Sequence, residues 1–134
     1  MGHRQIEHTA DLALEIWAPT EEELLLEGAR AIVEILTEQA EIGAEAVREL
    51  HLDAIDPPDR LVVWLNEVLV LAVSEGFLVH DGELSLREDG LDARVRGLED
   101  AGALVRTELK SATYHDLELT RGQDGFRARV VIDV

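Results

Sequence analysis

The stretch Asp56-Pro57-Pro58-Asp59-Arg60-Leu61-Val62-Val63-Trp64-Leu65-Asn66-Glu67 opens a helix, and what lies on either side of it decides the fold. Proline is tolerated in a first helical turn because the N–H it lacks would have no partner inside the helix. Asp59 falls in the same turn, where the helix dipole favours a carboxylate. The spacing predicts a helix to about residue 75, with Leu61, Leu65, Val68, Leu69 and Ala72 on one apolar stripe. Val62, Trp64 and Leu71 widen the stripe and leave Asp59, Asn66 and Glu67 as a narrow polar strip. This is expected to be the central, most buried helix.

Upstream, Thr20 stands three residues before Glu23, the spacing of a capping box, and opens a second helix. Its apolar stripe is Leu25, Ala29, Ile32, Val33 and Leu36. Gly43 marks a turn, and residues 47–55 read as a strand. Residues 6–17 alternate apolar and polar side chains and read as two short strands broken near Asp11. Downstream the period turns to two, with strands predicted over 77–86, 91–98, 107–119 and 126–134. Gly90, Gly97, Gly102 and the Gly122-Gln123-Asp124-Gly125 turn punctuate them. Two helices among strands that pair as hairpins predict an α+β fold, the helices packed on a mostly antiparallel sheet. With 134 residues and no repeat or linker, one domain over 1–134 is expected.

The charge balance narrows the function. Twelve Lys and Arg face 29 Asp and Glu, a formal net charge of -17. No basic stretch offers phosphates the Lys and Arg that displace counterions, so autonomous nucleic-acid binding is not expected and a partner would carry any RNA. Acidity suits divalent cations and basic protein surfaces. The absence of cysteine excludes disulfides, thiolate metal sites and cysteine nucleophiles. The first residues lack a signal-peptide core, Ile6 stands where a myristoylation signal wants Ser or Thr, and no apolar run is long enough to span a membrane. A cytoplasmic protein without membrane association is expected.

Phosphate loops, dinucleotide fingerprints, nucleophile elbows, zinc-protease helices and EF-hand loops are all missing. His3, His8, His51, His80 and His115 are scattered. Three stretches look over-specified for packing alone: His8-Thr9-Ala10-Asp11, Lys110-Ser111-Ala112-Thr113-Tyr114-His115, and the apolar Val130-Val131-Ile132-Asp133-Val134 with its acid near the end. Singly they read as a turn, a half-exposed strand face and a strand end. If the last strand pairs near the break at Asp11, then Asp11, Asp133 and Val134 bring anionic oxygens together. Such a set suits Ca²⁺ or Mg²⁺ and not zinc or copper.

Those stretches, with residues 59–67, resemble the archease family along the whole chain. The matching strings are His8-Thr9-Ala10-Asp11, Asp59 through Glu67, Glu108-Leu109-Lys110-Ser111-Ala112-Thr113-Tyr114-His115 and the Ile132-Asp133-Val134 ending. Leu109 and Ser111 depart from the Ile and Ala more usual beside that lysine. The resemblance implies an α+β fold and a divalent-metal site built from Asp11, Asp133 and Val134, holding calcium, with magnesium or manganese as alternatives. It also implies a non-catalytic cofactor of an RtcB-type RNA ligase in tRNA splicing, one that promotes guanylylation of the ligase histidine, speeds turnover and can broaden nucleotide use. By the same match Asp59, Lys110, His8 and His115 are candidates for the ligase-facing surface or for support of the metal ligands. Two rival readings remain. One is a small metal-dependent hydrolase with Asp11 and Asp133 as ligands and His115 as general base. The other is an acidic chaperone or adaptor with no essential metal.

Overall fold

The computed structural model describes residues 1–7 and 11–134, and for Glu7 only the backbone. The elements run β1 (Gly2–Glu7), β2 (Leu12–Ala18), α1 (Glu21–Thr37), β3 (Ala46–Asp53), α2 (Pro57–Glu75), β4 (Leu78–Arg87), β5 (Gly90–Leu98), β6 (Ser111–Ala112), β7 (Glu118–Gly122) and β8 (Gly125–Asp133). This is the α+β arrangement that the alternation of periods implied.

Both helices start where their caps place them. Thr20 Oγ accepts the Glu23 N–H at 3.2 Å, the threonine half of the predicted box. Asp56 caps α2 by accepting the Asp59 N–H at 2.9 Å, just ahead of the prolines. Gly76 ends α2 in the left-handed region at φ 67°, a conformation that costs glycine little.

The strands form two antiparallel sheets. In the larger, β1 pairs β2, β2 pairs β8, and β6 and β7 share the far side of β8. The smaller runs β3-β5-β4. Leu12, Leu14, Ile16 and Ala18 of β2 and Ala128, Val130 and Ile132 of β8 face the core, where they meet α1 and α2. Trp64, Leu65 and Phe77 are fully buried among them. Truncating any one would leave a cavity costing about 3–5 kcal/mol. As predicted, α2 is buried on most sides, although Val70 and Val73 are 47% and 59% exposed. No helix among the described residues is long and apolar enough to cross a membrane.

Residues 107–119 correct the sequence reading. Instead of one strand they give only Ser111–Ala112 before β7 begins at Glu118. Lys110 N–H bonds Asp133 O at 2.8 Å and Thr113 N–H bonds Val131 O at 2.9 Å, so the segment touches β8 briefly. It then turns away through Asp116, whose φ is 51°. The period-two pattern survives a turn of this kind, which is why alternation alone could not locate the break. β1 also starts at Gly2, earlier than the alternation from Ile6 indicated.

Candidate functional site

The candidate site lies where β8 ends. Leu12 pairs Ile132, and continuing that register by one residue sets Asp11 across from Asp133. On the other side Ser111 pairs Asp133 directly. Asp133 falls on the sheet face opposite the core, one step beyond the buried Val131, while Asp11 sits in the bend just before β2, and both are partly buried. Val134 follows and is 49% exposed. The conditional step in the sequence reading, a last strand pairing at the Asp11 break, is therefore met.

Oxygen donors of this kind suit a hard divalent cation that completes its shell with water. Among the described residues no group of three or more His, Cys, Asp or Glu side chains stands in ligand arrangement. The donors expected from the sequence are the Asp11 and Asp133 carboxylates with an oxygen of Val134. Residues 8–10, beside Asp11 and including the candidate His8, lie outside the described residues.

Helix α2 fixes the flank of this site. The Asn66 amide clasps Ala112 at both backbone groups: Nδ2 donates to Ala112 O at 3.1 Å, and Ala112 N–H donates to Oδ1 at 2.7 Å. One side chain thereby replaces the partner strand that β6 lacks on that side. Two turns earlier, Asp59 accepts the Tyr114 phenol at 2.5 Å and the Ile55 N–H at 2.9 Å. The Tyr114 hydrogen bond, helped by the Ile55 N–H, holds the Asp59 carboxyl below its ordinary value. The same bond, with partial burial and the nearby Asp59 and Asp56 charges, pushes the Tyr114 phenol up.

The remaining predicted residues separate. Lys110 is exposed and adjoins Asp133 through its backbone. His115 is exposed in the turn after Tyr114 and pairs with Asp116 at 3.2 Å. Asp59 is held by the Tyr114 phenol and the Ile55 N–H, one on each of its two oxygens.

Sequence reasoning missed two polar links between elements, one at the buried Arg60 and one at the partly buried His3. Arg60 reaches Glu21 at 2.8 Å, Gly90 O at 3.2 Å and Arg87 O at 2.7 Å, joining the start of α1 to the β4–β5 turn. His3 sets one ring nitrogen against Glu27 and the other 3.0 Å from Glu34, which fastens β1 to α1. The only trace of either in the sequence was a charge placed inside an apolar helical stripe.

Comparison with known proteins bears on the whole chain. Residues 3–134 match the family described as Archease protein family (MTH1598/TM1083). A protein archease of Methanopyrus kandleri is 30% identical over all of both chains. One of Archaeoglobus fulgidus is 32% identical, again over all of both. Among solved structures, the Methanobacterium thermoautotrophicum protein 1598 superposes with a TM-score of 0.75 at 24% identity, over 99% of each chain. A Thermotoga maritima protein described as an archease, possible chaperone, superposes at 0.62 with 28% identity, over 98% of this chain and 96% of its own.

Proposed function

This chain belongs to the archease family, and on that premise we propose that it is the protein cofactor of an RtcB-type RNA ligase, acting through a divalent cation held by Asp11, Asp133 and Val134. The observation that carries the reading is the register of β8, which brings Asp11 and Asp133 to one sheet end with Lys110 and Ser111 on the other flank.

The residues divide the work. Asp11 and Asp133 supply charge and hard oxygen donors. Ser111 and the Lys110 backbone keep Asp133 at a fixed height in the sheet, and Asn66 keeps Ala112 from fraying. Lys110 is exposed one residue before Ser111, and its ammonium would be free to meet a phosphate or a ligase carboxylate. A cation bound here supplies charge compensation for a nucleotide triphosphate, the standard demand of nucleotidyl transfer. The strongly acidic surface favours encounter with a basic ligase.

The test is the covalent step itself. Intact-mass spectrometry follows the guanylylated ligase after GTP and metal are added, with and without this protein. The proposal predicts faster accumulation with the wild type and the unassisted rate with Asp11→Asn/Asp133→Asn. Equal acceleration by a folded double variant would contradict it.

A further inference from the structure

The outer face of the larger sheet gathers arginines more densely than the acidic chain as a whole. Its rows can be read from the register. Gly2, Trp17, Arg127 and Thr120 form one, and Arg4, Glu15, Arg129 and Glu118 the next. Ile6, Ala13 and Val131 follow, and then the Asp11–Asp133 end. Three guanidinium groups, Arg4, Arg127 and Arg129, therefore gather at one end of this face around Glu15 and Glu118, with Asp133 at the other end, on a chain whose overall ratio is 12 to 29.

The groups are arranged as well as gathered. Glu15 is 15% exposed and is clasped from both sides, by Arg4 at 2.9 Å and by Arg127 at 2.6 Å. One shared carboxylate thus holds two outward guanidiniums that are 62% and 55% exposed. Each retains N–H donors in a planar fork that matches a phosphate. Arg129 lies between the pair and β7, and its buried Nε has no hydrogen-bond partner among the described residues. The Arg127 guanidinium sits 5.2 Å from the centre of the Trp17 ring. That ring lies across Gly2, where a Cβ would stand 2.6 Å from Cζ2. Glycine at position 2 leaves the indole room to lie flat along the sheet.

The exposed face of the smaller sheet shows the ordinary alternative. There Arg96 is matched by Asp81 and Glu83, Arg94 by Glu49, and Arg87 by Asp89 and Asp92. Its arginines are consumed internally.

We propose that the outer face of the larger sheet binds single-stranded RNA, with phosphates on Arg4, Arg127 and Arg129 and a base stacked on Trp17. Guanidinium forks beside an aromatic ring are the elements by which sheet surfaces hold unpaired strands. An acidic peptide would use the arginines but leave the indole unused, so a nucleic acid fits better. That the polymer is RNA rests on the ligase-cofactor reading; the polyanion chemistry rests on this face alone. The net charge of -17 does not forbid it, because exposed charges farther off than about 8 Å are screened at physiological ionic strength. Binding is weak for the isolated protein and gains from a shared complex, where the strand is already held nearby. From Arg127 to Asp133 is six residues of β8, roughly 20 Å at strand rise, so a strand on this face would run toward the carboxylate end.

The experiment is anisotropy titration of a short fluorescein-labelled oligouridylate with the full chain across a salt series, read in parallel with tryptophan emission. Of the two tryptophans Trp64 is buried, so Trp17 reports stacking. We expect saturable binding with a Kd of about 10⁻⁴ to 10⁻⁶ M, and a log–log salt slope near about -2 for three bound phosphates. Trp17 emission should be quenched. Arg127→Ala/Arg129→Ala should weaken binding at least about fivefold and flatten the slope by about 0.7 for each phosphate no longer neutralised. Arg4→Ala, at an exposed edge position, serves if the double variant does not fold. Arg94→Ala/Arg96→Ala should leave binding unchanged. Absence of saturable binding would overturn the proposal, as would an equal weakening in the Arg94→Ala/Arg96→Ala variant. A polyglutamate peptide that binds as tightly as the RNA would also overturn it, by assigning the face to an acidic protein segment. If RNA binds but the ligase is not stimulated, the cofactor reading fails and this one stands. If the ligase is stimulated but RNA does not bind, this proposal fails and the cofactor reading stands.

Discussion

The Tyr114 phenol donates a 2.5 Å hydrogen bond to Oδ1 of Asp59, tying the turn after β6 to the first turn of α2. Asp59 therefore acts first as an anchor for the segment that flanks Asp133. Its carboxyl is held low, so the stability it contributes is present above its ordinary value of about 3.9 and is lost as pH falls through the lower folded value. The phenol is held high, so its share is present below about pH 10 and is lost as pH rises past the folded value. Tyr114→Phe should therefore cost at most about 1 kcal/mol, since Tyr114 is 59% exposed. The difference from wild type in urea melts should be flat from about pH 5 to 9 and shrink at both extremes.

Asn66→Ala removes both bonds to the Ala112 backbone at once. A buried pair left without partners costs about 1–3 kcal/mol. The local signature is sharper than the global one: amide exchange at Ala112 and Thr113 should accelerate more than at the centre of β2. Uniform acceleration across the larger sheet would mean that Asn66 supports the whole fold and not this flank.

Arg60→Met should destabilise by about 3–5 kcal/mol, because it strands Glu21 in a nearly buried position and orphans two carbonyls. Combining it with Glu21→Gln should recover part of the loss, giving a coupling of opposite sign to the single effects in a double-mutant cycle. Chemical denaturation of the four proteins measures this.

Asp133→Asn should lower calcium affinity by at least about tenfold, or about 1.4 kcal/mol, in isothermal titration calorimetry. Tyr114→Phe should change it by less than about threefold, since Asp59 and Tyr114 hydrogen-bond each other and neither side chain bonds Asp133. A larger effect of Tyr114→Phe would move Asp59 into the support of the metal ligands.

What the sequence made legible was what local chemistry determines. Asp56-Pro57-Pro58 and Thr20 announced both helix starts, and alternation separated β4, β5 and β8. The pairing of β8 at Asp11 was reachable only as a condition, since register between residues over a hundred positions apart leaves no local mark. The 107–119 segment misled because it pairs β8 over only Ser111–Ala112, ahead of a left-handed Asp116. Arg60 and Glu21 were invisible as a pair because 39 residues separate them. The arginines gathered on the outer sheet face were invisible for the same reason. Arg4 comes from one end of the chain, Arg127 and Arg129 from the other, and no window of sequence holds them together.

The most direct measurement is multiple-turnover ligation of a broken RNA by an RtcB-type ligase at substoichiometric amounts, with this protein, with folded Asp133→Ala, or with neither. The account predicts several rounds of ligation per ligase with the wild type and a return to the unassisted yield with the variant. Equal yields in all three arms, from a ligase shown to be active, would contradict it.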